Sequence, residues 1–169
     1  LSVLAQERFS FTQQINTPVF HGTDSLKNAW GGGLNYPNFS NIDLNGDGHL
    51  DLVAYDRSGY RVLPFINKIG NGDSVYRYQP EFANAFPLPK ERGSFMLLRD
   101  YNCDGKEDIF FNDGNFIFVF ENTSQNGVLS FAPVNNGNRI QSQYASGSIT
   151  DLYIARTDLP AIDDVDGSG

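Results

Sequence analysis

The sequence predicts an all-β protein, and three observations support this prediction. The chain of 169 residues contains 14 Phe and 8 Tyr, and aromatic residues favour strands. Its apolar stretches are short continuous runs, such as residues 52–55 and 116–120, which have the length of buried strands. A distinctive polar loop also precedes such a run more than once. We therefore expect a chain built from repeated units of strands.

The amino-acid composition limits the kinds of partner and site that this chain can have. The net charge is −8, which argues against nucleic acid and against anionic membrane surfaces, because both attract basic proteins. No apolar run approaches the roughly 20 residues that a membrane-spanning helix needs, so we predict no membrane span. The single cysteine, Cys103, excludes an intrachain disulfide and a multi-cysteine zinc site.

The repeated loop has the pattern Asp-x-Asn-x-Asp-Gly-x-x-Asp. It begins at Asp43 and again at Asp100, and a partial copy begins at Asp164. Oxygen-bearing side chains stand at loop positions 1, 3, 5 and 9, and the glycine at position 6 permits a sharp bend. Calcium takes about six to eight oxygen ligands in irregular geometry, so this spacing predicts calcium sites.

Electrostatics supports the same prediction. Carboxylates brought within about 4 Å of each other repel by roughly 1–4 kcal/mol per pair near a protein surface. A bound divalent cation reverses the sign of that interaction. The candidate side-chain ligands are Asp43, Asn45, Asp47 and Asp51; Asp100, Asn102, Asp104 and Asp108; and Asp164, Asp166 and Ser168. The backbone carbonyls of His49 and Lys106, at position 7, would add one ligand to each complete loop.

An EF-hand or dockerin loop is the main competing interpretation, because it shares the start Asp-x-Asn-x-Asp-Gly. An EF-hand needs a bidentate Glu at position 12 and a helix on each side. Position 12 is Ala54 in the first loop and Phe111 in the second. The flanks are rich in Val, Phe and Tyr, which favours strands around the loops.

The pattern of apolar runs and turns predicts a similar strand order after each loop. We expect a first strand at residues 8–12, then one helical turn at 25–30. In the first repeat we expect strands at 38–42, 52–55, 60–66 and 75–78, with turns at 56–59 and 68–74. In the second we expect them at 94–98, 109–111, 116–120 and 129–132, and in the third at 149–155 and 160–162. Strands that are apolar on both faces must be covered on both faces, as in a radial stack of sheets.

Residues 38–53, 100–109 and 161–169 resemble the FG-GAP or VCBS repeats of integrin-alpha-like β-propellers. The resemblance covers roughly residues 30–169. It implies a partial β-propeller of about two to three four-stranded antiparallel blades, truncated, with calcium in the loop between the first and second strands of each blade. Ser168 departs from the pattern, and position 9 of the third loop lies beyond Gly169, so the occupancy of that loop stays open.

Residues 1–6 look like the last part of a signal-peptide apolar region, with Val3 and Ala5 at the −3 and −1 positions of a candidate cleavage site. They are expected to be a signal-peptide remnant, with an ordinary apolar N-terminus as the alternative. The strand order and the resemblance imply the other domain boundaries. Residues 7–34 would form an N-terminal strand and connection, residues 35–90 the first blade, residues 91–143 the second blade, and residues 144–169 the truncated start of a third.

Residues 29–35 and 56–59 look like parts of large surface proteins exported by Bacteroidetes-type bacteria, which implies a secreted or cell-surface location. The expected function is non-catalytic: adhesion, protein–protein interaction or surface assembly, with a protein or glycan partner. A longer chain or another subunit would cover the edge strands. The alternative is an accessory propeller of a larger secreted, polysaccharide-active enzyme.

Overall fold

The computed structural model describes residues 10–12, 14, 17–70, 73–87 and 93–164, so the predicted signal-peptide remnant lies outside the described part. The chain divides into two compact units, Leu1–Gly32 and Gly33–Gly169. The described residues form antiparallel sheets of two to four strands, which confirms the all-β prediction. None of the helices in these ranges is long and apolar enough to cross a membrane.

The first unit contains a short hairpin. Strand β1 (Phe20–His21) pairs with β2 (Asp24–Ser25), and the Leu26 N–H donates to the Val19 carbonyl at 2.8 Å. The predicted strand at 8–12 is wrong where it can be checked, because residues 10–12 pair with no described strand. The predicted helical turn at 25–30 is also wrong: Asn28 has φ +57°, a left-handed conformation that no α-helix contains.

The second unit begins with a four-stranded antiparallel sheet. Its strands are β3 (Pro37–Ile42), β4 (Asp51–Asp56), β5 (Arg61–Gly70) and β6 (Asp73–Tyr78), in sequential order. All four strands were predicted. The turn predicted at 68–74 is shorter than expected, because the ladder between β5 and β6 continues past the pair Lys68↔Val75 to Gly70↔Asp73.

A second four-stranded sheet has the same sequential order. It contains β7 (Met96–Arg99), β8 (Asp108–Asp113), β9 (Phe116–Asn122) and β10 (Phe131–Pro133). A two-stranded sheet follows, formed by β11 (Gln141–Gln143) and β12 (Ile149–Asp151). The strands predicted at 149–155 and 160–162 are therefore largely wrong. Among the described residues after Asp151, only an isolated bridge, Tyr153↔Phe116, forms. The Ile154 N–H bonds to the carbonyl of Asn115, which lies in the turn between β8 and β9.

The main core lies between the two four-stranded sheets. Val53, Tyr55 and Val62 of the first sheet and Leu98 and Ile109 of the second are buried in one cluster. The first strands are linked directly, since the Leu98 N–H donates to Ser40 Oγ at 3.1 Å. One short 3-10 helix, Pro80–Ala85, was not predicted. The turn at Val134–Gly137, in which Asn135 and Asn136 have left-handed φ angles of +50° and +54°, was not predicted either. The 3-10 helix adds Phe82 and Ala83 to the edge of this core.

The outer face of each sheet is also apolar. On the first sheet, Ala54, Leu63 and Phe65 form a second buried cluster. On the second sheet, Phe95 and Ile117 pack with Ile154 from the segment after β12. Continuous apolar strands such as β4 therefore contribute to a core on both faces, as the sequence predicts.

Candidate metal centre

The first polar loop joins β3 to β4, and the carboxylate of Asp43 lies at its centre. Asp43 Oδ1 accepts the N–H groups of Gly46 and Asp47 at 2.8 and 3.2 Å. Its Oδ2 accepts the Gly48 N–H at 2.8 Å. One side chain thus folds the next five residues around itself, because short Asp side chains readily accept bonds from nearby backbone N–H groups.

The side chains at positions 3 and 5 contact each other. Asn45 Oδ1 accepts the Asp47 N–H at 3.0 Å, and Asn45 Nδ2 donates to Asp47 Oδ2 at 2.9 Å. Asp47 Oδ1 accepts the His49 N–H at 2.9 Å. The Asn45 hydrogen bond, followed by the His49 N–H, lowers the pKa of Asp47. This carboxyl therefore stays ionised under ordinary conditions.

The second loop, between β7 and β8, repeats four of these hydrogen bonds at equivalent positions. Asp100 Oδ1 and Oδ2 accept the N–H groups of Asp104 and Gly105 at 3.2 and 2.8 Å. The Asp104 N–H also donates to Asn102 Oδ1 at 3.0 Å, and Asp104 Oδ1 accepts the Lys106 N–H at 2.9 Å. Two segments of different composition therefore adopt one loop conformation, because they share the oxygen-bearing residues at positions 1, 3 and 5.

The two loops differ in the surroundings of their carboxylates. Asn102 Nδ2 donates to Glu121 Oε1 at 3.0 Å rather than to its own position-5 aspartate. Lys106 Nζ lies 3.8 Å from Asp104 Oδ2, whereas position 7 of the first loop is the exposed His49. The side chains of His49 and Lys106 are thus both on the surface, and their carbonyls stay predicted ligands.

Position 9 is buried in both loops. Asp51 and Asp108 are each 0% exposed. Asp51 accepts the N–H groups of Leu44 at 2.9 Å and Asn67 at 2.7 Å, and Asp108 accepts those of Tyr101 at 2.7 Å and Asn122 at 2.6 Å. Burial raises the pKa of both carboxyls, and the negative charges elsewhere in each loop add to the effect.

One asparagine completes each corner, and neither was among the predicted site residues. Asn67 Nδ2 donates to the Leu50 carbonyl at 3.2 Å, and Asn122 Nδ2 donates to the Glu107 carbonyl at 3.1 Å. Both lie on the third strand of their sheet, opposite the end of the loop. The available signal was that an Asn ends the third apolar run in each repeat.

The two loops lie close to each other. A cavity of about 400 Å³ is lined by Asp43 and Gly46 of the first loop, Glu107 of the second, and Asn126 and Gly127 between β9 and β10. Burial raises the pKa of Glu107, and the charges of Asp100 and Asp43 contribute to the rise. The negative charge of Asp43 in the first loop therefore contributes to the raised pKa of Glu107 in the second.

The third loop is only partly described. The Asp164 N–H donates to Asp163 Oδ1 at 3.1 Å. Asp166 and Ser168 lie outside the described residues, so the third predicted site stays a prediction.

The donor set has the chemistry that calcium needs, because carboxylate and amide oxygens are hard ligands. In the described ranges, however, no three His, Cys, Asp or Glu side chains form a group that could hold a metal ion. The carboxylates instead accept bonds from their own loop backbone, and each carboxylate oxygen retains further lone-pair sites. The loops therefore place suitable oxygen atoms close together. In the described residues, however, the carboxylate oxygens do not converge on one point as the ligands of a complete metal site do.

Comparisons of this chain with protein-family models, with curated proteins and with solved structures find no match.

Proposed function

We propose that this chain is a calcium-binding, non-catalytic β-propeller segment of the FG-GAP/VCBS type. The observation that supports it most is that one loop conformation closes the same corner, between first and second strands, in two successive four-stranded sheets. Shared hydrogen bonds at equivalent positions are what a repeated ligand-binding corner requires. The propeller arrangement is further supported by the face-to-face packing of the sheets and by the link between their first strands, from Leu98 to Ser40.

The proposed ligands follow from the loop positions. Asp43, Asn45, Asp47 and Asp51, with the His49 carbonyl, would hold one ion; Asp100, Asn102, Asp104 and Asp108, with the Lys106 carbonyl, would hold a second; Asp164, Asp166 and Ser168 would contribute to a third. When bound, calcium would supply positive charge that offsets the repulsion among these carboxylates. The protein's own residues shape the corner, because the position-1 and position-9 aspartates fix the backbone around it.

We assign the chain to an exported protein that acts in adhesion, protein–protein interaction or surface assembly, with further blades supplied by a longer chain or another subunit. Propellers of four to eight blades are typical. The second candidate is the accessory propeller of a larger secreted, polysaccharide-active enzyme. Determining the complete reading frame around this sequence separates the two, since the second requires a catalytic module in the same protein.

Calcium titration of chelator-treated protein tests the metal sites directly. We expect saturable heat with dissociation constants of about 10⁻⁴–10⁻³ M, the range of extracellular calcium modules. Calcium should also raise the melting temperature, because an ion that binds the folded state stabilises it.

Substitutions in the loops test whether the heat of calcium titration comes from calcium bound there. Asp43→Ala and Asp104→Ala should each remove one binding event and part of the calcium-dependent rise in melting temperature. Asp158→Ala is the control, since Asp158 is an exposed acid outside the loops, and it should bind calcium as the parent does. Absence of heat and of any thermal shift at millimolar calcium would refute the sites.

A further inference from the structure

A second cavity lies at the end of the first sheet opposite the polar loops. Strand β4 begins at Asp51, beside the first loop, and ends at Asp56, where the turn of residues 57–60 starts. This turn, together with Tyr36 and with residues 93–94 and 156–157, lines a cavity of about 430 Å³. Its volume is in the range of small-ligand pockets, which is about 300–1,000 Å³.

The cavity is basic in an acidic protein. Arg57 and Arg156 both line it, whereas the chain as a whole carries a net charge of −8. The neighbouring acid, Asp56, is already engaged: it forms an ion pair with Arg61 at 3.3 Å and accepts the Asn35 N–H at 3.3 Å. No described residue makes a hydrogen bond or ion pair with the Arg57 side chain. Arg57 is therefore available to an anion.

The wall of the cavity also contains a polar atom without a partner. Ser94 is 8% exposed, and its Oγ has no hydrogen-bond partner among the described residues. Its backbone is held firmly, because the Ser94 N–H donates to Asn112 Oδ1 at 2.6 Å and the Tyr55 hydroxyl donates to the Gly93 carbonyl at 3.0 Å. Since no bond has to break, a change of the χ1 rotamer can turn this hydroxyl towards the cavity.

A strained residue completes the turn. Tyr60 lines the cavity and has φ +50°, a conformation that is unfavourable for a bulky side chain and that Gly or Asn adopts at lower cost. Strain of this kind concentrates at functional positions. Tyr60 and Tyr36 both line the cavity that Arg57 lines.

We propose that this cavity binds a carboxylate-bearing sugar, of the hexuronic acid class. A guanidinium recognises a carboxylate through paired hydrogen bonds, the hydroxyls of Ser94 and Thr157 match sugar hydroxyls, and the tyrosine rings offer faces to the C–H side of a sugar ring. The described lining combines two tyrosines with arginine, serine and threonine side chains and contains no Leu, Ile, Val or Met, a mixture that suits a sugar ring with polar substituents. The site is separate from the calcium loops and does not depend on them.

Calorimetric titration with digalacturonic acid tests the proposal, with blank titrations into the same calcium buffer to remove any heat of calcium–sugar binding. We expect the acidic disaccharide to bind at least tenfold more tightly than the corresponding neutral galactose disaccharide. An acidic tetraglutamate peptide is the third probe, and it should bind at least tenfold more weakly than the acidic sugar.

Three variants, one of them a control, test which residues contribute to sugar binding. Arg57→Gln should weaken digalacturonate binding at least tenfold. Ser94→Ala should weaken it several-fold without lowering the melting temperature, since the hydroxyl has no partner to lose. Arg77→Gln is the matched control, because Arg77 lies on β6 and does not line the cavity; it should change binding less than twofold.

The possible contradictions are distinct. Equal binding of the neutral disaccharide, tighter binding of the peptide, no binding of digalacturonate, or equal loss in Arg57→Gln and Arg77→Gln would each overturn the proposal. Asp43→Ala should leave sugar binding within twofold of the parent. A failure of the calcium sites is therefore distinguishable from a failure of this cavity.

Discussion

At the scale of single residues, position 4 of the loops shows how one backbone conformation tolerates different side chains. Gly46 has φ +73° and its counterpart Cys103 has φ +62°. A Cβ at Gly46 would lie 2.9 Å from the Cα of Gly127, whereas Cys103 is exposed. The first loop needs glycine for space as well as for conformation, and the second needs only a residue that can accept the strain.

The prediction at this position is a contrast between two matched substitutions. Gly46→Ala should cost at least about 1–2 kcal/mol of unfolding free energy, from the left-handed backbone alone. Cys103→Ala should be neutral within about 0.5 kcal/mol, and Cys103→Gly should be slightly stabilising because it relieves the strain. Urea denaturation measures all three. Equal costs for the two alanine variants would show that the contact with Gly127 and the glycine conformation have no energetic role.

Tyr55 gives a pH-dependent prediction. Its burial raises the pKa of the hydroxyl from 10.0 to about 12, and this hydroxyl donates to the Gly93 carbonyl. Because the unfolded chain loses the proton first, the stabilisation is complete below pH 10 and falls as the pH rises towards 12. Urea denaturation between pH 9 and 12 should show a steeper loss in the parent than in Tyr55→Phe. Parallel curves for the two proteins would contradict this role of Tyr55.

At the scale of elements, the position-9 aspartates join a loop to a third strand. Asp51 connects Leu44 in the loop to Asn67 on β5, and Asp108 connects Tyr101 to Asn122 on β9. Each bond satisfies a backbone N–H that would otherwise lack a partner. Each corner is therefore held by the hydrogen bonds of one buried carboxylate, and these bonds do not involve a cation.

Removing that carboxylate should destabilise the first sheet. Asp51→Ala leaves the Leu44 and Asn67 N–H groups without an acceptor, at a cost of about 1–3 kcal/mol for each buried group. Asp51→Asn keeps one acceptor oxygen and should cost less. Denaturation in the presence of chelator isolates this backbone effect from calcium, and the exposed-site variant Asp158→Asn serves as the reference. A change in Asp51→Ala below about 0.5 kcal/mol would contradict the role of Asp51 in joining the loop to β5.

At the scale of the whole second unit, the two sheets are held by one core. Leu98 is 0% exposed and packs in the cluster that also contains Val53 and Tyr55 of the first sheet. The backbone of the same residue is bonded to Ser40. A change at Leu98 therefore acts on both sheets at once.

Leu98→Ala should cost about 2–5 kcal/mol, as other buried leucine truncations do. Hydrogen exchange should show that backbone amides of β4 and of β8 lose protection together, because they line the same core. Leu50→Ala is the control, since Leu50 is 48% exposed, and it should have little effect. Loss of protection confined to β8 would mean that the sheets unfold independently.

Much of the fold and of the candidate site could be predicted from sequence, because the relevant interactions are local. The bonds of Asp43 reach no further than Gly48, so the spacing of the loop residues is enough to specify them. The four strands of each sheet follow from apolar runs and from turns such as the one at Gly114, which has φ +68°. Predictions failed where the outcome depends on distant partners, as at residues 152–155 and 160–162.

The sequence by itself determined the all-β class, the place of the first two loops and the aspartate at the centre of each. Only the tertiary structure decided that Asn67 and Asn122 complete the corners, that Gly46 lies against Gly127, and that Arg57, Ser94 and Arg156 share one cavity. The physical reason is sequence separation. Bonds within nine residues are specified by local spacing, whereas a cavity lined by segments tens of residues apart exists only once the sheets have packed.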